Sequence, residues 1–190
     1  MAGDVRFFGS VRFNAEANLD TEDLLDYVLR IEGRISGGLG ADGSVVAEEE
    51  NVGLIEAYLV QIAPLADDGV ALGDVCDAHS AHLEGVYAAL FDEEDEPREE
   101  LAITRDWETL LHVHWLEVES RYRDSGVAVQ AVEAAVRHFC PAGVVTAYRN
   151  VLELSAGEWR SLGFRKIAGS DVVYRDNTAG DPYAHPFEDE

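Results

Sequence analysis

Apolar and polar positions alternate from Val5 to Phe13, where Val, Phe and Gly interleave with Arg and Ser, and this period of two predicts a first β-strand. The pattern then changes. Asp20 reads as an N-cap with Asp23 three residues on, and Leu24, Leu25, Val28 and Leu29 follow at the spacing of a helix. Gly37-Gly38-Leu39-Gly40 and the polar run 47–51 mark loops, and Val52 to Ile62 is strand-like. Leu72 to Phe91 predicts one helix whose stripe is Val75, Cys76, His79, Leu83, Val86, Tyr87 and Leu90, and Asp92 to Glu100 is a solvated acidic loop around Pro97. Leu110, Leu111, Val113, Trp115, Leu116 and Val118 form a buried strand. Val127, Ala131, Val132, Ala135, Val136 and Phe139 lie on one helix face, and Gly143 to Tyr148 is a further short strand. The order is that of an α/β protein, with one domain over residues 1–175 and a loosely ordered acidic tail over 176–190.

Charge narrows the classes of partner. Asp and Glu number 38 against 14 Lys and Arg, Lys166 is the only lysine, and the net charge is −24. Nucleic acid and anionic membrane both require clustered cations, so neither is expected as a partner. The acidity serves either to steer cationic amine substrates or to keep the surface hydrated in molar salt. At that ionic strength the Debye length is about 3 Å and steering is screened, and the even spread of carboxylates favours the halophilic reading. No apolar stretch reaches the length of a membrane helix and the N-terminus lacks the regions of a secretory signal, so a cytoplasmic location is expected. Cys76 and Cys140 share no CxxC spacing and read as packed reduced thiols.

Candidate chemistry lies between the apolar run and the helix that follows it, at Arg123-x-x-Gly126-x-Ala128. A tight turn that opens a helix gathers unpaired N–H groups at the positive end of the helix dipole, where they can grip a pyrophosphate, and a small residue at 126 lets the main chain approach it. Further on stands Trp159-Arg-Ser-Leu-Gly163-Phe164. Together these segments resemble the GNAT superfamily of N-acetyltransferases, whose acyl-CoA motif is Arg or Gln, two residues, Gly, one residue, Gly or Ala, and whose second motif is Tyr-x-x-x-Gly-Phe. The resemblance covers residues 112–175, and nothing in residues 1–105 adds to it. It implies a GNAT-like mixed, mostly antiparallel twisted sheet flanked by helices, with acetyl-CoA as co-substrate and a small-molecule or peptide primary amine as acceptor. By position the cofactor would be held by Arg123, Asp124, Ser125, Gly126, Val127 and Ala128 at its pyrophosphate, and by the main chains of Leu116 and Val118 along its pantetheine arm. A module that binds acyl-CoA with little turnover is the alternative, and a non-enzymatic interaction protein the third reading. A homodimer is left open. The helix at 72–91 departs from the family, which often has only a hairpin turn there.

Three groups compete to accept the amine proton. His112 and His114 share a strand face by period-two geometry and titrate near neutrality, so they can relay a proton through water. This stretch is similar to that of the arylalkylamine N-acetyltransferases, where His-x-His stands at the same distance before the cradle. The pair can equally be core histidines. A metal site lacks a third ligand with convincing spacing, so none is assigned. Glu117 has the opposite parity unless a bulge intervenes, and its flanking Leu116 and Val118 predict a desolvated carboxyl of raised pKa; Glu119 reads as a solvated strand end. The tyrosine of the second motif, which would protonate the departing thiolate, is Trp159 here, and an indole N–H is too weak an acid. Tyr148 or Ser155 substitutes, the thiolate leaves unassisted, or turnover is lost, while Trp159 packs against the cofactor's thioether and pantetheine. His79 and His82 are given no role.

Overall fold

Alternation carried by Ile31, Ile35, Ile55 and Ala57, all buried, builds long strands that pair in chain order. The computed structural model describes residues 5–17, 24–41, 50–92, 94–103 and 107–178. In it β1 (Val5–Glu16), β2 (Val28–Ala41), β3 (Glu50–Gln61) and β4 (Thr109–Val118) form an antiparallel run. Next come β5 (Val144–Tyr148), β7 (Val172–Asp176) and the short β6 (Arg165–Lys166), giving the order β1-β2-β3-β4-β5-β7-β6. Only β4 and β5 are parallel, and α4 (Val127–Phe139) makes the crossover that a parallel pair requires. The result is the mixed, mostly antiparallel α/β sheet with flanking helices that the resemblance implied.

Each face of the sheet has its own core. Leu111, Val113, Leu116 and Val118 of β4 pack beneath Ala131, Val132, Ala135 and Val136 of α4. On the other face Leu110 and Val60 meet Val75, Cys76, Leu83, Val86 and Leu90. Those partners come from α2 (Leu72–His79) and α3 (Ala81–Leu90), which with α1 (Ile62–Asp68) join β3 to β4. No helix among the described residues is long and apolar enough to cross a membrane. Both cysteines are free and buried, and burial pushes the Cys76 thiol up to about 12.

Several expected elements differ. Leu24–Tyr27 makes a single 3-10 turn and Val28 begins β2, because Ile31, Gly33 and Ile35 alternate between two partner strands and that pairing overrides a short helical spacing. Asp20 and Asp23 lie outside the described residues. Gly37 to Gly40 is strand, not loop: a Cβ at Gly37 would run into the Phe8 carbonyl and the Phe7 ring, so glycine there permits close packing within the ladder. The helix over 72–91 is two helices. Ser80 breaks it with extended backbone, φ −171° and ψ 154°, and caps α3 by accepting the Leu83 N–H at 3.3 Å. The tail begins later than composition suggested, since Asp176 ends β7 and the Asn177 N–H donates to the Gly143 carbonyl at 2.9 Å. Residues 179–190 lie outside the described residues.

Candidate active site

The parallel ladder runs only from Leu110 to Val113 on β4 and from Val144 to Ala147 on β5. Beyond it β4 continues to Val118 against β3 alone, while β5 ends at Tyr148 and the chain turns away. Alternate residues of this free half-strand direct their N–H and C=O groups away from β3. The opening is a cleft of about 240 Å³. One wall is Trp115, Leu116, Glu117 and Val118, the floor is Arg123 and Ala128, and the far wall is Val151, Glu153 and Glu158.

A 3-10 turn over Ser120–Ser125 leads from β4 into Gly126, whose φ of 76° and ψ of 8° are left-handed. Gly126 therefore has a backbone reason to be glycine. A Cβ there would meet nothing within 4 Å, so open space lies beside it. The first bond of α4 is donated by Gln130 to the Gly126 carbonyl at 3.1 Å. The N–H groups of Val127, Ala128 and Val129 are thus unpaired within the helix. Val127 buries its side chain and can offer only its backbone, whereas the Ala128 methyl lines the cleft. Ser125 turns its hydroxyl inward, donating to the Tyr122 carbonyl at 2.6 Å, and Asp124 is exposed. Arg123 spans the mouth, with Nε donating to the Val118 carbonyl at 3.4 Å and Nη1 paired with Glu153 at 3.1 Å.

On β4 the register decides which side chains meet. Tyr58 faces His112 and Ala57 faces Val113, but Glu56 faces Trp115, so His114 is the extra residue of a β-bulge. The bulge shifts parity, placing Trp115 and Glu117 on the face of His112, Tyr58 and Glu56. His112 is fully buried, with Nδ1 3.1 Å from the Thr146 hydroxyl and Nε2 without a hydrogen-bond partner. Burial, reinforced by His114, His82 and His79, pushes its pKa down to about 3. A sealed, neutral imidazole cannot exchange a proton with substrate, and His112 takes the structural alternative of its two sequence readings. His114 is half-buried, its ring 5.1 Å from that of Tyr58 and 4.8 Å from that of His82. Burial first, then His82, lowers its pKa, while Glu56 opposes the shift. The break at Ser80 sets His79 against Tyr58 of β3 and His82 against His114 of β4, a placement that the helical stripe gave no reason to expect.

Glu117 departs from expectation in a second way: it is exposed, not desolvated, and makes no hydrogen bond or ion pair to a described residue. It lines the cleft and also an open groove of about 480 Å³ on the sheet face. Its neighbour Glu119 pairs with Arg121 at 3.0 Å, as a solvated strand end would. Glu56 sits deeper; burial alone would raise its carboxyl, but hydrogen bonds from Arg30 and Tyr58 outweigh that and hold it below the ordinary range. Among the described residues no group of three or more His, Cys, Asp or Glu side chains is arranged to hold a metal ion.

Trp159 is also placed differently. It is buried at 1% exposure, edge-on to Phe164 with ring centroids 5.2 Å apart, and it does not line the cleft. The indole anchors α5 (Ala156–Ser161) to the core, and its neighbour Glu158 faces the cleft instead. Neither substitute donor is spare. The Tyr148 hydroxyl donates to the His82 carbonyl at 3.1 Å, and the Ser155 hydroxyl is held at 2.8 Å by Glu158 in a capping box. That box, Ser-x-x-Glu, was a sequence signal for the orientation of α5 and hence for which residue of 158 and 159 turns outward. The chain matches no protein-family model, no curated protein and no solved structure.

Proposed function

We propose that this chain is an N-acetyltransferase that uses acetyl-CoA as co-substrate and a primary amine as acceptor. The observation that carries the reading is the opening of the β4/β5 ladder onto the Gly126 turn, with Glu117 set between the resulting cleft and the groove on the sheet face. The free edge of β4, including the Leu116 and Val118 main chains, would hold the pantetheine arm, and the N–H groups at the start of α4 the pyrophosphate. The amine gives a proton to Glu117, and its nitrogen attacks the thioester carbonyl carbon. A C–N bond forms, the C–S bond breaks, and its electron pair leaves on sulfur, which receives the nitrogen's second proton relayed through water. His114, half-buried with its ring 4.8 Å from that of His82, is a second candidate to accept the amine proton, although it does not line the cleft. Buried Trp159 and the committed hydroxyls of Tyr148 and Ser155 favour one competing reading, a CoA-binding module with little turnover.

Calorimetry with CoA, paired with free-thiol release from acetyl-CoA, separates these readings. Gly126→Asn tests the cradle, because asparagine tolerates the left-handed backbone yet places a side chain in the open space. The expected outcome is a protein as stable as the parent to within about 1 kcal/mol, with CoA affinity reduced at least tenfold. Unchanged affinity would remove the cradle and the acetyltransferase reading with it. Binding without thiol release from any amine would leave the module.

A further inference from the structure

Carboxylates outnumber cations 38 to 14 in this chain, yet only some of its guanidiniums have a carboxylate partner among the described residues. Arg30, Arg98, Arg121, Arg123 and Arg175 each pair with a glutamate. Arg12, Arg34, Arg137, Arg149 and Arg165 have no such partner among the described residues; Arg12 and Arg34 are both exposed, and neither makes a hydrogen bond or ion pair to a described residue. They also stand directly opposite each other in the β1/β2 register. Like charges opposed in this way destabilise a sheet, so their juxtaposition suits an anion held between them.

The same row continues across the sheet. Arg34 faces Leu54 on β3, and Leu54 faces Glu117 on β4. Facing residues share a side, so one face presents two guanidiniums, then an apolar floor, then an unpaired carboxylate. Two strand spacings separate the stems of Arg34 and Glu117 by about 10 Å. Above them lies the groove of about 480 Å³, which Arg34, Leu54 and Glu117 all line, and Glu117 is at the same time a wall of the cleft.

We infer that this groove is the acceptor site and that its acceptor is a free amino acid; the inference rests on the acetyltransferase reading. The ammonium lies at Glu117, beside the cleft, and the carboxylate lies at Arg34 with Arg12 behind it. The side chain rests over Leu54. A guanidinium and a carboxylate make paired charge-assisted hydrogen bonds, which gives the far end of the groove its selectivity. In the reaction the ammonium first loses one proton to Glu117; the α-nitrogen then forms the C–N bond as the C–S bond breaks, and its second proton passes through water to the departing thiolate, giving the CoA thiol. The N-acetyl product keeps its carboxylate but has no ammonium, so it loses its contact with Glu117 and leaves. A decarboxylated amine or a peptide N-terminus offers nothing to Arg34.

The test measures thiol release from acetyl-CoA with L-leucine, L-leucinamide and isoamylamine, comparing the chain with its Arg34→Gln variant. Relative kcat/KM is compared between the two proteins, so the different basicities of the amines cancel. Leucine is expected to be preferred over both analogues in the parent, and Arg34→Gln is expected to cut that preference at least tenfold. Acetylation of leucinamide or isoamylamine in preference to leucine, or a preference that Arg34→Gln leaves unchanged, overturns the inference and leaves the acetyltransferase reading standing. If no amine is turned over, saturation-transfer NMR of leucine on the CoA-free protein decides. Transfer lost in both Arg34→Gln and Glu117→Gln supports the site, and no transfer to the parent overturns it. Melting curves of the variants confirm that these exposed positions have not unfolded the chain.

Discussion

The two ends of β4 carry similar residues into opposite circumstances. At its first half the strand is paired on both sides, and a polar side chain there, His112, is sealed between β3 and β5 with one hydrogen bond to Thr146. At its second half β5 has gone, and Glu117 stands exposed between a cleft and a groove. Sequence neighbours do not distinguish the two positions, because each lies between large apolar residues, Leu111 and Val113 in one case and Leu116 and Val118 in the other. Strand pairing distinguishes them. A titratable group under a complete ladder loses its contact with water and becomes structural, and a group past the end of the ladder stays open to solvent and ligand.

Exchanging the carboxylate at the open end should have the largest consequence. Glu117→Gln preserves shape and removes the base, so turnover in the thiol-release assay should fall by roughly 100-fold or more, with CoA binding retained and melting temperature little changed. His114→Gln should lower turnover less and flatten its rise with pH. If Glu117→Gln retained full activity while His114→Gln abolished it, the base would belong to the bulge and not to the strand end.

At the closed end the expected effect is on stability. His112 has a folded pKa of about 3 against about 6.5 when unfolded. Between those values the unfolded chain binds a proton that the folded chain does not, so acid favours unfolding. The stabilisation is complete above pH 6.5 and is lost as pH falls, at up to about 1.4 kcal/mol per pH unit. His79 and His114, whose pKa values burial also lowers, act in the same direction. His112→Leu should therefore flatten the loss of stability between pH 6.5 and 4 in chemical denaturation. An equally steep loss in that variant would assign the acid sensitivity to other groups.

This contrast also explains what the sequence could show. The β4–turn–α4–β5 unit was legible, because local pattern and turn chemistry fix each piece: an apolar run, a left-handed glycine and a helical stripe follow in order. The first half of the sheet was less so. Val28 and Leu29 sit at helical spacing after Leu24 and Leu25, and only pairing with β1 and β3 makes them strand. The bulge at His114 is likewise a property of two strands. It decides that Glu117 shares a face with His112, and no reading of β4 alone contains the Glu56 and Ala57 register that produces it. Arg34 belongs to the candidate site for the same reason, since 83 residues separate it from Glu117 in the chain (117 − 34) and two strand steps in the sheet. Trp159 was misplaced by analogy of position; its burial follows from the packing of α5 on Phe164.

The smallest expected effect concerns the walls of the open end. Glu117, Glu153 and Glu158 line the cleft against one guanidinium, Arg123, and Glu153 pairs with it. An anionic cofactor entering this cleft meets net repulsion, which salt relieves: the Debye length falls from about 10 Å at 0.1 M to about 3 Å at 1 M. CoA affinity should therefore rise with potassium chloride, the reverse of an ordinary phosphate site, and this local effect needs no adaptation of the whole surface. Glu153→Gln removes one of the opposing charges and releases Arg123. Exposed pairs of this kind are weak, so the gain should be only about threefold in CoA affinity at low salt, vanishing toward 1 M. Calorimetry at two salt concentrations reads both. A variant that bound CoA more weakly than the parent would mean that Glu153 positions Arg123 for the cofactor, and the pair would then be part of the cradle, not a barrier to it.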